Sequence, residues 1–121
     1  MKFQSLAKIL ALCGREFYHR SWVLGTSGNF SARIADDPLR LCITASGNDK
    51  GALDETQFLE IDDNSDVLQG FGKPSAETLL HLTIYRMRAE TGAILHTHSV
   101  WGTILSDVFF ENGAIEIQGY E

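Results

Sequence analysis

The feature that most constrains this chain is a pair of histidines at the end of a short apolar run. Residues 93–95 are Ala-Ile-Leu, and they lead directly into His96, Thr97 and His98. Side chains at i and i+2 of a β-strand point to the same face, so we expect the two imidazoles to project together. Imidazole pairs of this kind are typical of zinc sites, and we predict that His96 and His98 bind one metal ion. The alternative is that both histidines only end the strand and form hydrogen bonds with solvent.

Hydrophobic periodicity predicts an α/β chain. Apolar residues recur at helical spacing from Phe3 to Phe17 and indicate an N-terminal amphipathic helix. Further helices are predicted from Ser75 to about Ala89 and over residues 99–106. Because one pair of strands forms an antiparallel hairpin while helices alternate with other strands, we expect a mixed sheet with helices on its faces. The predicted strands are residues 30–34 and 39–44, which form the hairpin, and residues 57–62, 93–98 and 114–117.

Three polar, glycine-bearing loops precede the histidine pair. They are Gly-Thr-Ser-Gly-Asn at residues 25–29, Thr-Ala-Ser-Gly-Asn-Asp-Lys-Gly at residues 44–51 and Gly-Lys-Pro-Ser-Ala-Glu-Thr at residues 72–78. Glycine lets a ligand approach the backbone closely, and the hydroxyl and amide side chains supply hydrogen bonds. Each loop by itself is equally consistent with a plain turn. Beside a metal ion, the three together are suited to bind the phosphate of a small anionic substrate.

Glu77 lies in the first turn of the second predicted helix, where the helix dipole stabilises a carboxylate. We expect Ser75 to be the N-cap of that helix. If the start of the helix faces the metal, Glu77 is a candidate general acid or base. The alternative is that its carboxylate only stabilises the helix.

Length and charge exclude several classes of protein. With 121 residues the chain is one domain or part of one, and its formal charge of −6 argues against a nucleic-acid or anionic membrane surface. We find no apolar run long enough to cross a membrane and no signal-peptide pattern. Cys13 and Cys42 are too few for a disulfide framework, so we expect a cytoplasmic protein.

In this order and at these separations, the three loops and His96-Thr97-His98-Ser99 resemble the motifs of the class II aldolase/adducin family. The resemblance spans essentially the whole chain. Within the family it is greatest to the branch that dehydrates 5-methylthioribulose 1-phosphate in methionine salvage. It implies an αβα sandwich with a mainly antiparallel central sheet flanked by helices, one Zn²⁺ per subunit and a homotetramer.

The resemblance also implies roles for individual residues. His96 and His98 would bind zinc, and Glu77 matches the acid/base glutamate of the related aldolases. Glu121 is a second catalytic candidate, because dehydratase-like members carry a glutamate in the segment that corresponds to residues 118–121. The residues that would bind the substrate phosphate are Thr26, Asn29, Ser46, Gly47 and Ser75.

The family has a third zinc-binding histidine farther downstream, and no histidine follows His98 in this chain. We therefore expect residues 1–121 to form a single domain of this family that lacks its C-terminal part. The expected activity is that of a zinc-dependent lyase on a small phosphorylated ketose. The alternatives are a sugar-phosphate aldolase or epimerase with the same loops and metal, and a non-catalytic binding module like adducin.

Overall fold

A computed structural model describes residues 2–119 of the chain. Within this range there are three α-helices, five β-strands and three short 3₁₀ turns. In chain order they are α1 (Phe3–His19), β1 (Asn29–Asp36), β2 (Leu39–Thr44), the turns Lys50–Ala52 and Glu55–Gln57, β3 (Phe58–Asp62), β4 (Val67–Gln69), α2 (Thr78–Met87), β5 (Ala93–His96), α3 (Val100–Val108) and the turn Phe110–Asn112.

The five strands form one sheet in the order β4-β3-β2-β1-β5, and every neighbouring pair is antiparallel. The mixed sheet expected from the alternation of helices and strands is therefore wrong, whereas the mainly antiparallel sheet implied by the family resemblance is confirmed. The difference arises because β5 returns beside β1 in the opposite direction, with Asn29 paired to His96. This pairing places the start of β1 next to the end of β5.

Side chains alternate across the sheet and bury both of its faces. On β2, Cys42 packs on the side of α1, and Leu41 and Ile43 pack on the side of α2. The α1 helix contributes residues at helical spacing, and Leu82 and Tyr85 of α2 cover the opposite face. Each fully buried large apolar side chain contributes about 1.5–3 kcal/mol, so the two cores hold the helices to the sheet. The αβα sandwich is thereby confirmed. The buried α1 residues are Leu6, Ala7, Leu10, Ala11 and Gly14.

The third helix differs from the other two because it has no buried residue. Ser99 caps it by accepting a hydrogen bond from the backbone N–H of Gly102 at 3.1 Å. Its apolar side chains are exposed, with Trp101 at 76% and Val108 at 64%. Among the described residues, α3 therefore packs on no core.

Two local predictions are wrong. Residues 114–117 form no strand, because no described strand pairs with them. Ser75 is not the N-cap of α2: that position is Glu77, and the Ser75 hydroxyl accepts a hydrogen bond from the Asn29 amide instead. Strand β4 was not predicted at all. None of the helices in residues 2–119 is both long and apolar enough to cross a lipid bilayer.

Candidate functional site

The antiparallel order of the strands brings the predicted loops together. Because β1 runs opposite to both β2 and β5, its first residue, Asn29, lies beside the C-terminal ends of both neighbours. The loop after β2 carries Ser46, whose backbone N–H donates to the carbonyl of Lys73 at 2.8 Å. That hydrogen bond joins the second loop to the third, which leads into α2. The three loops and the histidine pair therefore meet at one edge of the sheet.

A cavity of about 170 Å³ lies where the loops meet. All five residues predicted to bind phosphate line it, and so does Glu77. The lining is mostly hydroxyl, amide and backbone groups, as an oxyanion site requires. The lining residues are Thr26, Gly28, Asn29, Thr44, Ala45, Ser46, Gly47, Lys50, Ser75 and Glu77.

Gly28 shows why this loop needs glycine. Its φ is +77°, a conformation that L side chains rarely adopt. A Cβ atom there would lie 2.6 Å from the carbonyl oxygen of His96 and 2.8 Å from Cγ1 of Val23. The absence of a side chain at Gly28 is therefore what allows the first loop to touch the end of β5.

Asn29 connects the cavity to the histidines. Its Nδ2 donates to the hydroxyl of Ser75 at 2.8 Å, so its Oδ1 must be the acceptor on the other side. That oxygen lies 2.9 Å from Nε2 of His81 and 3.3 Å from Nδ1 of His96. The side chain itself is only 3% exposed. One buried amide thus contacts both halves of the site.

His81 is buried beneath Asn29 and is neutral. Burial and, to a smaller extent, His96 lower its pKa to about 4, although Glu77 opposes the decrease. Since Asn29 Oδ1 accepts, Nε2 of His81 carries the hydrogen and Nδ1 accepts from the Ser31 hydroxyl at 2.7 Å. The Tyr85 hydroxyl, 2.9 Å from Ser31, then donates to it. Burial raises the pKa of Tyr85, which keeps this phenol neutral. The chain of hydrogen bonds fixes the orientation of Asn29.

Glu77, His96 and His98 form a cluster in which one potential metal-binding atom of each lies within 4.8 Å of the others. Oε2 of Glu77 is 3.3 Å from Nδ1 of His96, and the two imidazole centroids are 4.6 Å apart. His98 lies two residues beyond the end of β5, where its backbone N–H donates to the carbonyl of Trp22. The histidines therefore come together although only His96 belongs to the strand.

The donor set of this cluster fits zinc. Two imidazole nitrogens and a carboxylate oxygen are common zinc ligands, and donors around a tetrahedral zinc lie about 3.4 Å apart. His98 is exposed and Glu77 and His96 are partly buried, so the cluster is open to a ligand from solvent. A second cavity of about 430 Å³ adjoins the histidines and is lined by Ser99, Gly102 and Thr103 of the α3 region.

Two residues of the site were missed by sequence reasoning, and one predicted residue lies outside the described range. His81 follows Glu77 by one helical turn on the buried face of α2, a spacing that indicates a shared face. Lys50 gave no signal, because a lysine in a polar loop is ordinarily exposed. Glu121 lies beyond residues 2–119. Burial raises the pKa of the Cys42 thiol to about 12, so this cysteine stays protonated at neutral pH.

Comparison with known proteins identifies relatives over the same residues. Residues 8–120 match the family described as the class II aldolase and adducin N-terminal domain. The methylthioribulose-1-phosphate dehydratase of Marinobacter nauticus is 41% identical over 120 residues, which is 99% of this chain and 57% of that protein. The enzyme of the same name from Geobacillus thermodenitrificans is 42% identical over 121 residues, 99% of this chain and 55% of its own length. The chain thus spans about half the length of the curated relatives that it matches.

Solved structures have the same fold. YgbL from Escherichia coli superimposes with a TM-score of 0.78 at 31% identity, over 98% of this chain and 52% of YgbL. An L-fuculose 1-phosphate aldolase superimposes with a TM-score of 0.77 at 29% identity, over 86% of this chain and 49% of the aldolase.

Proposed function

This chain belongs to the class II aldolase and adducin family, and on that premise we propose that it is part of a zinc-dependent lyase that dehydrates 5-methylthioribulose 1-phosphate in methionine salvage. The observation that carries the proposal is the position of Glu77, which lines the cavity of the phosphate loops and also belongs to the cluster with His96 and His98. A substrate held by its phosphate in that cavity extends its carbon chain toward the histidines. The relatives that share about 41% of this sequence are named for that reaction.

In the proposed mechanism His96 and His98 would hold the zinc, and a bound zinc would supply Lewis-acid chemistry at the carbonyl end of the substrate. The phosphate binds to Asn29, Ser46, Gly47 and Ser75, with a lesser contact from Thr26. These contacts fix the distance between the phosphate and the reacting carbons, which is the main use of a remote anchor.

Glu77 is the first candidate for the proton transfers. Its carboxylate removes the proton from C3, and the electron pair left behind expels the hydroxyl group from C4. The protonated Glu77 returns that proton to the departing hydroxyl, which leaves as water. Glu121 is the second candidate, in line with the dehydratase-like branch of the family.

Replacing Glu77 by Gln removes the base and keeps the size of the side chain, so we expect dehydration to fall by about 100-fold or more with an unchanged fold.

The proposed activity needs residues in addition to residues 1–121. We propose that these residues are the N-terminal part of a longer domain, because the relatives are nearly twice as long. The third zinc ligand then comes from the downstream part, and the enzyme is a cytoplasmic homotetramer. The α3 region and the histidines line the same cavity. The apolar side chains of α3 are exposed, which supports the proposal that another segment or subunit covers the site.

The first experiment is elemental analysis of bound metal in this chain and in one extended past Glu121. We expect about one zinc per extended chain, little zinc in this one, and loss of zinc from the extended chain when His96 is replaced by Ala. If the extended chain binds no zinc, the histidines are structural and a binding module like adducin is the better conclusion.

An aldolase is the second candidate, because an L-fuculose 1-phosphate aldolase has the same fold over most of this chain. Product analysis with the extended chain separates the two. Loss of water from an intact carbon chain supports the dehydratase. Appearance of two shorter carbonyl compounds contradicts it and supports the aldolase. Glu77→Gln is the matched control in both assays.

A further inference from the structure

Lys50 is a buried lysine at the phosphate cavity that no motif assigns. It is 2% exposed, although lysine is almost never fully buried without a charged partner. Its Nζ donates to the backbone carbonyls of Thr26 at 3.2 Å and of Asn48 at 3.0 Å. Among residues 2–119, no carboxylate forms an ion pair with it. Within the described range, the fold therefore holds a buried ammonium group that is hydrogen-bonded to carbonyl groups and not to a carboxylate.

Contacts of the neighbouring residues hold Lys50 in its position. Its backbone N–H donates to the carbonyl of Gly25 at 3.0 Å, which ties the second loop to the first. The Asp49 carboxylate accepts from the backbone N–H of Gly51 at 2.7 Å and so caps the 3₁₀ turn. Gly51 packs so closely on Tyr18 that a Cβ atom there would lie 2.9 Å from the ring. Lys50 therefore has little freedom to leave the cavity for solvent.

The charges of the residues around the cavity indicate a role for the Lys50 ammonium in anion binding. Lys50 is the only lysine or arginine among the described lining residues, and Glu77 is the acidic one. A phosphate monoester placed there carries up to two negative charges and faces the Glu77 carboxylate. A buried cation offsets that repulsion more effectively than neutral hydroxyl and amide donors do, because its hydrogen bond to the phosphate is charge-assisted. Burial lowers the pKa of Lys50, while Asp49 and Glu77 act in the opposite direction, as a bound phosphate would.

We propose that Lys50 is the cation that binds the phosphate of the substrate. An ammonium group has three donors, and two are directed to Thr26 and Asn48. The third donates to a phosphate oxygen in a charge-assisted hydrogen bond, and the loops supply the neutral contacts. This inference deepens the proposed function and rests on it for the identity of the phosphate ester. The cation site itself is defined by this chain alone.

The test is binding of inorganic phosphate to this chain, measured by calorimetry and by the rise in melting temperature, at constant ionic strength in chloride. Lys50→Gln removes the charge and keeps donors for the two carbonyls, so we expect phosphate affinity to fall about 10- to 100-fold. Lys50→Arg keeps the charge and should retain part of the affinity. Lys73→Gln is the matched control. It changes the net charge by the same amount, and Lys73 is exposed on the third loop.

A second measurement does not depend on the folding of a variant. In the unsubstituted chain labelled with ¹⁵N-lysine, the buried Lys50 ammonium should give a resonance that shifts on addition of phosphate and not of chloride. Absence of phosphate binding, an unshifted resonance, or equal affinities of Lys50→Gln and Lys73→Gln would overturn the inference. Because zinc and turnover are not involved, a missing zinc site refutes the lyase and leaves the Lys50 result intact.

Discussion

At the scale of single residues, the site depends on buried polar groups that the loops alone do not reveal. Asn29 was predicted to contact phosphate, and the structure adds that it also touches His81 and His96. Hydrogen bonds at both ends of this buried amide hold it in place. His81 sets the orientation of the amide from below, although sequence reasoning did not single it out.

His81 makes stability dependent on pH. The unfolded chain takes up this proton near pH 6.5, but the folded chain takes it up only near pH 4, because burial lowers the pKa of the imidazole. Acidification between these values therefore favours unfolding and removes about 3 kcal/mol by pH 4. Urea unfolding of the metal-free chain at several pH values measures the loss.

The window between pH 6.5 and 5 is the most informative, because carboxyl groups contribute little there. His81→Gln keeps a donor for Asn29 and cannot titrate, so it serves as the control. We expect the variant to show a much smaller dependence on pH in this window. An equal dependence in both proteins would mean that another group takes up the proton.

At the scale of elements, hydrophobic periodicity predicted the helices and strands that bury one face in a core. The α1 helix, the β1–β2 hairpin and β3 follow from spacing, because their cores require it. The predictions for residues 114–117 and for Ser75 failed because strand pairing and capping depend on partners distant in sequence. Ser75 bonds with Asn29, 46 positions earlier, and so leaves the helix cap to Glu77.

The loop that begins β1 should be sensitive to a single methyl group. Gly28→Ala adds a Cβ that clashes with the His96 carbonyl and occupies a conformation disfavoured for alanine, so we expect a loss of about 2–4 kcal/mol. Gly92→Ala is the matched control, since a Cβ there meets nothing within 4 Å. Chemical denaturation compares the two variants. Equal losses would show that the close approach of Gly28 to β5 does not constrain the fold.

At the scale of the whole molecule, helices α1 and α2 cover the two faces of the sheet, whereas the apolar side chains of α3 are exposed. Trp101, Val108 and Phe110 are exposed at 76%, 64% and 76%. Exposed apolar groups clustered in this way mark surfaces that associate with other chains or segments. The sequence predicted this helix and its apolar side, but periodicity alone does not say whether a core exists to receive it.

We expect this chain to self-associate through that surface as its concentration rises. Replacing both Trp101 and Val108 by Glu introduces repulsion between like charges, so the average molar mass from light scattering should return toward that of the monomer. Phe71, 89% exposed on a different segment, is the control when replaced by Ser. If the double variant associates as strongly as the parent chain, the contact lies elsewhere.

The amide of Asn29 has a consequence for how two ligands affect each other. One end holds Ser75 of the phosphate loops, and the other contacts His96 of the histidine cluster. A ligand that polarises or displaces this side chain at one end changes the hydrogen bond that it makes at the other end. Binding of metal and of phosphate is then coupled, and by thermodynamic linkage each changes the affinity of the other by the same factor.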